Sequence, residues 1–239
     1  ALLVAGHVPI QKYGREMGLQ NTATIFREPV DQVVSHYRHA VAHHGFEGSL
    51  IEFSRREGIR NIQTRFLFNL DPALVGVIGI TEAYRDSLEL INARWGWDLR
   101  HRRKNVSNRF SPRGPEITSD ERTELADLNQ EDLELYQRAC HVFKNSRHCL
   151  RNHISAEPKG LISSLAAGEP VRGWAFVIES DSPAEISLLL NGNPATQVVC
   201  DREVEELGHW GLPRHGRIGF EFEAPLETGD TIEITHVET

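Results

Sequence analysis

Arg27 and Ser35 are the residues of this chain whose types and spacing best suit the gripping of one anion. They lie in Thr24-Ile-Phe-Arg-Glu-Pro-Val-Asp-Gln-Val-Val-Ser-His-Tyr, where residues 22–26 read as a short apolar strand and Pro29 sits at a first helical position. That places a fixed cation at a strand's carboxyl end and a hydroxyl two turns into the next helix. Ligands of open α/β sheets bind outside the carboxyl ends of strands, and a guanidinium with a hydroxyl beside a helix N-terminus makes a phosphate cradle. The same spacing also allows Arg27 to pair with Glu28 or Asp31 while Ser35 faces water. His36, His39 and His43 share a face of that helix, with His44 beside them. Acidic ligands are few nearby, so no metal is expected, and these histidines with Arg38 either line a groove or are solvated. Arg94, Arg100, Arg102, Arg103, Lys104, Arg109 and Arg113 are opposed only by Asp98. They make a local positive field suited to an anion, or a solvated basic loop.

The elements that must hold these groups follow from periodicity. Residues 2–5, 22–26 and 74–80 are β-leaning, the last reading as a strand buried on both faces. Val30, Val33, Val34, Tyr37 and Val41 recur at helical spacing after the second run. After the third, Thr81 is expected to cap a helix that turns Ala83, Leu88, Leu90 and Ile91 inward before Gly96 interrupts it. Strand, helix, strand, helix predicts a parallel α/β sheet. Residues 119–153 are predicted helical, opening on Ser119-Asp120-Glu121 and restarting near Asn129-Gln130-Glu131-Asp132. Beyond Pro158-Lys159-Gly160 the rhythm changes to short strands over 174–178, 186–190, 197–200, 218–223 and 231–237, with Asn191-Gly192 as a hairpin turn. The expected organisation is an α/β domain over residues 1–157 and a small all-β sandwich over 158–239.

Composition sets outer limits. Of the 239 residues, 39% are hydrophobic and 25% charged, which is ordinary for a chain with a packed core. No apolar run approaches the roughly 20 residues of a membrane span, and residues 1–10 lack the basic start of a signal peptide. Cys140, Cys149 and Cys200 fit neither a zinc motif nor a disulfide framework, so a reducing, cytoplasmic setting is expected. The net charge of −8 is concentrated late, with 14 acidic and 5 basic residues from Lys159 onward. No nucleic-acid partner is expected, and oligomeric state leaves no signal.

Arg-Glu-Pro-Val-Asp-Gln-Val-Val-Ser-His-Tyr resembles the 3′-phosphate-binding stretch of sulfotransferases, commonly Arg-Asp-Pro with a Ser eight residues after the Arg. Gly6-His7-Val8-Pro9 resembles the Gly-His-Val segment of uronosyl 2-O-sulfotransferases. Asn61-Ile-Gln-Thr-Arg-Phe-Leu, Val77-Ile-Gly-Ile-Thr-Glu and Leu128-Asn-Gln-Glu-Asp-Leu-Glu-Leu-Tyr are similar to later landmarks, in family order across residues 1–145. The resemblance implies a P-loop-like three-layer parallel sheet. It implies 3′-phosphoadenosine 5′-phosphosulfate (PAPS) as donor, held at Arg27 and Ser35, with Ser107 and Arg109 as further nucleotide contacts and a carbohydrate hydroxyl as acceptor. His7 matches the catalytic histidine, and an imidazole has the pKa a base near neutrality needs. Judged by residue type alone, the better reading of His7 is a partly buried histidine bonded to a backbone carbonyl. Arg38, His39, Gln63 and Arg65 are the expected acceptor contacts, and Glu82 is read as a helix-start residue interacting with the helix dipole. The family also opens with a strand and a Gly/Ser/Thr-rich loop bearing a Lys or Arg, which no segment here matches. The expectation is therefore a shortened form of a longer enzyme. The alternative is a non-catalytic relative that binds a glycan or a protein, with Trp174, Trp210 and Phe220 as stacking residues.

Overall fold

The computed structural model describes residues 4–101, 117–154, 157–166, 168–223, 226–227 and 229–237. In chain order the main elements are α1 (Gly14–Met17), β1 (Ala23–Phe26), α2 (Pro29–His44), α3 (Leu50–Ser54), α4 (Ile62–Phe66), β2 (Val77–Ile80), α5 (Tyr84–Trp95), α6 (Ser119–Asp127) and α7 (Gln130–Arg151). The strands β3 (Pro158–Ser164), β4 (Val171–Val177), β5 (Ala184–Leu190), β6 (Asn193–Cys200), β7 (Gly219–Phe222) and β8 (Ile232–His236) follow. A small parallel sheet with helices thus precedes antiparallel β-structure. The chain divides into two units, one gathering residues 1–12, 23–72 and 77–148, the other residues 13–22, 73–76 and 149–239.

In the first unit β1 and β2 pair in parallel, from Ala23 opposite Val77 to Phe26 opposite Ile80. β2 is buried along its whole length, as its unbroken apolar run predicts. Of the strand expected over residues 2–5, only Val4 and Ala5 are described, and neither is in a strand. Pro29 opens α2, Glu28 accepts from the Asp31 N–H as its N-cap, and Gly45 ends it in a left-handed conformation. Val30, Val33 and Val34 pack with Leu50 of α3 and Leu125 of α6 into one core. Thr81 does not cap α5. Residues Thr81–Ala83 form a 3₁₀ turn, which moves the N-cap of α5 to Ala83, whose methyl group has no atom to accept a hydrogen bond. Thr118, rather than Ser119, caps α6 in a reciprocal capping box with Glu121.

In the second unit β3, β4 and β7 form one antiparallel sheet and β6, β5 and β8 another. Val171, Ala175 and Val177 of β4, alternating Ala184, Ile186 and Leu188 of β5, and Phe220 of β7 share one core. Asn191 and Gly192, with φ of 51° and 76°, make the predicted tight turn between β5 and β6. The segment 13–22 belongs to this unit because the Leu19 N–H donates to the Trp210 carbonyl at 2.9 Å. Backbones meet there closely enough that a Cβ on Gly211 would lie 2.6 Å from the Gly18 Cα.

Candidate functional site

The ladder between β1 and β2 ends at Phe26, so the peptide groups of Arg27 and Glu28 have no strand to pair with. Side chains take the strand's place. The Arg27 N–H donates to Gln63 Oε1 at 2.9 Å, and Gln63 Nε2 donates back to the Arg27 carbonyl at 2.9 Å. A primary amide used this way imitates a neighbouring peptide. One residue on, the Glu28 N–H donates to Glu82 Oε1 at 3.0 Å, while Glu82 Oε2 accepts from the Tyr136 hydroxyl at 3.1 Å. The helix carrying Gln63 is itself held by α7. Buried Asp132 accepts from the Gln63 N–H at 3.1 Å and from the Thr64 N–H and hydroxyl, each at 2.7 Å. Asp132 therefore occupies the exposed donors of α4's first turn, a task its own N-cap, Asn61, does not perform.

The carboxylates nearest Arg27 in sequence are engaged elsewhere. Glu28 caps α2, and Asp31 lies 3.5 Å from Arg122. Among the described residues the Arg27 guanidinium makes no ion pair. Its neighbours are basic: His36 feels the charges of His7, Arg27 and His39, and burial, the larger cause, combines with them to hold its imidazole below the ordinary value of 6.5. The three groups acting on that ring are all basic, a setting suited to an anion.

The expected site residues do not all come together. His7 (exposed, in a bend), Arg27 just past β1 and His39 on α2 each lie close enough to His36 to act on it electrostatically. Gln63 is 7% exposed, with its amide turned to Arg27's backbone rather than to solvent. Ser35 is half-buried on α2, and Arg38 and Arg65 are exposed, on α2 and in the last turn of α4. Ser107 and Arg109 lie outside the described residues. The His39 ring stands 4.7 Å from that of His43 and 5.2 Å from that of His44. No group of three or more His, Cys, Asp or Glu side chains among the described residues is arranged to hold a metal. Glu82, read from sequence as a helix-start residue, instead accepts from the Glu28 N–H and the Tyr136 hydroxyl. Asp132 and Tyr136 were given no site role from sequence, and only their i, i+4 spacing on α7 hinted at a shared face. Trp174, Trp210 and Phe220 are 5%, 3% and 2% exposed, which makes them core residues rather than a stacking surface.

No protein-family model matches this chain, and it matches no curated protein and no solved structure.

Proposed function

We propose that this protein is a sulfotransferase of the uronosyl 2-O-sulfotransferase kind, using PAPS to sulfate a carbohydrate hydroxyl. The observation that carries the reading is the Arg27 guanidinium, unpaired among the described residues, at a strand's carboxyl end inside the Arg-Glu-Pro…Ser segment. The cluster fits a nucleotide phosphate, because the charges acting on His36 are cationic and the carboxylates of Glu28, Asp31 and Glu82 are turned to other donors. Arg27 and Ser35 would hold the 3′-phosphate, with Ser107 and Arg109 as further nucleotide contacts. Bound there, PAPS supplies the sulfuryl group.

His7 takes the proton from the acceptor hydroxyl as its oxygen bonds to sulfur and the bond from sulfur to the phosphate oxygen breaks in line. Arg38, His39 and Arg65, all exposed, are the acceptor contacts, and Gln63 contributes through Arg27. On this reading the parallel sheet belongs to a P-loop-like three-layer architecture and the antiparallel strands to a β-sandwich.

Calorimetry with adenosine 3′,5′-bisphosphate tests the proposal. Wild type is expected to bind, Arg27→Ala to weaken binding about 100-fold and Ser35→Ala about tenfold, in line with charged and neutral hydrogen bonds to an anion. With radiolabelled PAPS and a panel of polysaccharides, His7→Gln is expected to lower kcat by about 100-fold or more while leaving bisphosphate affinity near wild type. Absence of any binding heat, with Arg27→Ala behaving as wild type, overturns the assignment. Binding without transfer would mark a nucleotide-binding relative that does no chemistry.

A further inference from the structure

The peptide groups around Arg27 are fixed from two sides, and both supports lead to one face of one helix. Gln63 holds the Arg27 N–H and carbonyl, each at 2.9 Å, and Glu82 holds the Glu28 N–H at 3.0 Å. Gln63 is in turn seated by its own N–H on Asp132 at 3.1 Å, and Glu82 by the Tyr136 hydroxyl at 3.1 Å. Asp132 and Tyr136 are four residues apart on α7, hence neighbours on one helical face.

We propose that Gln63 and Glu82 are positioning residues that lock the backbone at Arg27, and that α7 sets the lock through Asp132 and Tyr136. The physical need is plain. Arg27 lies just past the last paired strand residue and just before Pro29, so neither sheet nor helix hydrogen bonds restrain it, while a guanidinium must be held in orientation to form a two-pronged bond with an anion. A peptide fixed at three consecutive polar groups restricts where the Arg27 side chain can start. The proposal rests on Arg27 being the anion ligand, but the lock is a statement about backbone freedom and can be read without a ligand.

The test uses Gln63→Met, which keeps the volume of a buried side chain while removing both bonds to Arg27, together with Tyr136→Phe, Glu82→Ala and Glu82→Gln. Amide hydrogen exchange at Arg27 and Glu28 is measured beside bisphosphate affinity and melting temperature. Gln63→Met is expected to speed exchange at Arg27 about tenfold or more and to weaken bisphosphate binding about tenfold, with a smaller loss of about threefold in Tyr136→Phe. Glu82→Ala should free the Glu28 N–H, and Glu82→Gln, whose amide oxygen still accepts, should restore most of its protection. A purely structural role would show as a lowered melting temperature with affinity tracking the folded fraction. Unchanged exchange at both amides in Gln63→Met and Glu82→Ala overturns the lock whether or not nucleotide binds. Lost protection in a protein that never binds bisphosphate would keep the lock and remove the sulfotransferase reading instead.

Discussion

His36 shows how a residue's role is set by what faces it. In sequence it belongs to a stripe of histidines on α2, and nothing in the stripe distinguishes it from His39 or His43. In the structure it is the half-buried member, facing His7, Arg27 and His39, and its pKa is held down by burial first and by those charges second. The folded state then binds the proton less readily than the unfolded chain, so stability falls as pH drops below 6.5 and levels off once the folded-state pKa has been passed. His36→Gln should flatten that part of a urea-midpoint profile. An anion at Arg27 offsets the part of the penalty that comes from neighbouring charges, so bisphosphate binding should draw a proton onto His36. Calorimetry near pH 6 in buffers of different ionisation heat should show more proton uptake by wild type than by His36→Gln. The difference between the two matters, since a phosphate monoester itself titrates at about pH 6. Equal uptake would place the anion away from this ring.

At the scale of elements, the legible parts were those that carry their own signal. The period of α2, the unbroken apolar run of β2 and the Gly96 stop of α5 are local facts, and they predicted local structure. α3 and α4, of five residues each, were not predicted, because helices so short have too few internal hydrogen bonds to be stable alone. α4 exists where Asp132, 68 residues from Thr64, fills its first turn. The same distance hid the site's supports: Gln63 reads as an acceptor contact, or as part of a solvent-facing helix, and its bonds to the Arg27 backbone, 36 residues away, leave no local signal. Asp132→Ala should therefore act on α4 rather than on α7, leaving two amides and a hydroxyl without an acceptor in a buried place. A loss of about 3 kcal/mol in urea unfolding is expected, with Asp132→Asn losing less because one oxygen remains. A loss under about 0.5 kcal/mol would mean that water serves α4 as well as Asp132 does.

Across the whole molecule, sequence order and spatial grouping part company. Pro158-Lys159-Gly160 reads as a linker between two rhythms, yet it lies in β3, antiparallel to β4, and Lys159 is buried with its side chain 2% exposed. Its ammonium donates to the Val75 carbonyl at 2.9 Å and lies 3.8 Å from Glu157. Residues 73–76 and 13–22 join residues 149–239 in one unit through this bond, the Gly76 N–H to the Leu19 carbonyl, and the Leu19 N–H to Trp210. No local pattern announces such a grouping, because each member is a few residues whose partners lie far along the chain. Lys159→Met keeps most of the apolar stem and removes the donor, so the Val75 carbonyl, in a residue that is wholly buried, is left without it. Full-length Lys159→Met should lose about 1–3 kcal/mol in urea unfolding. A fragment of residues 158–239 lacks Val75 and Leu19 altogether, removing the carbonyl acceptor of the Lys159 ammonium and the Leu19 N–H that donates to Trp210. It should unfold at lower urea than the full-length variant, with red-shifted tryptophan emission before the transition. If the fragment were as stable as the same strands in the intact chain, the two outlying segments would be passengers on this unit rather than parts of it.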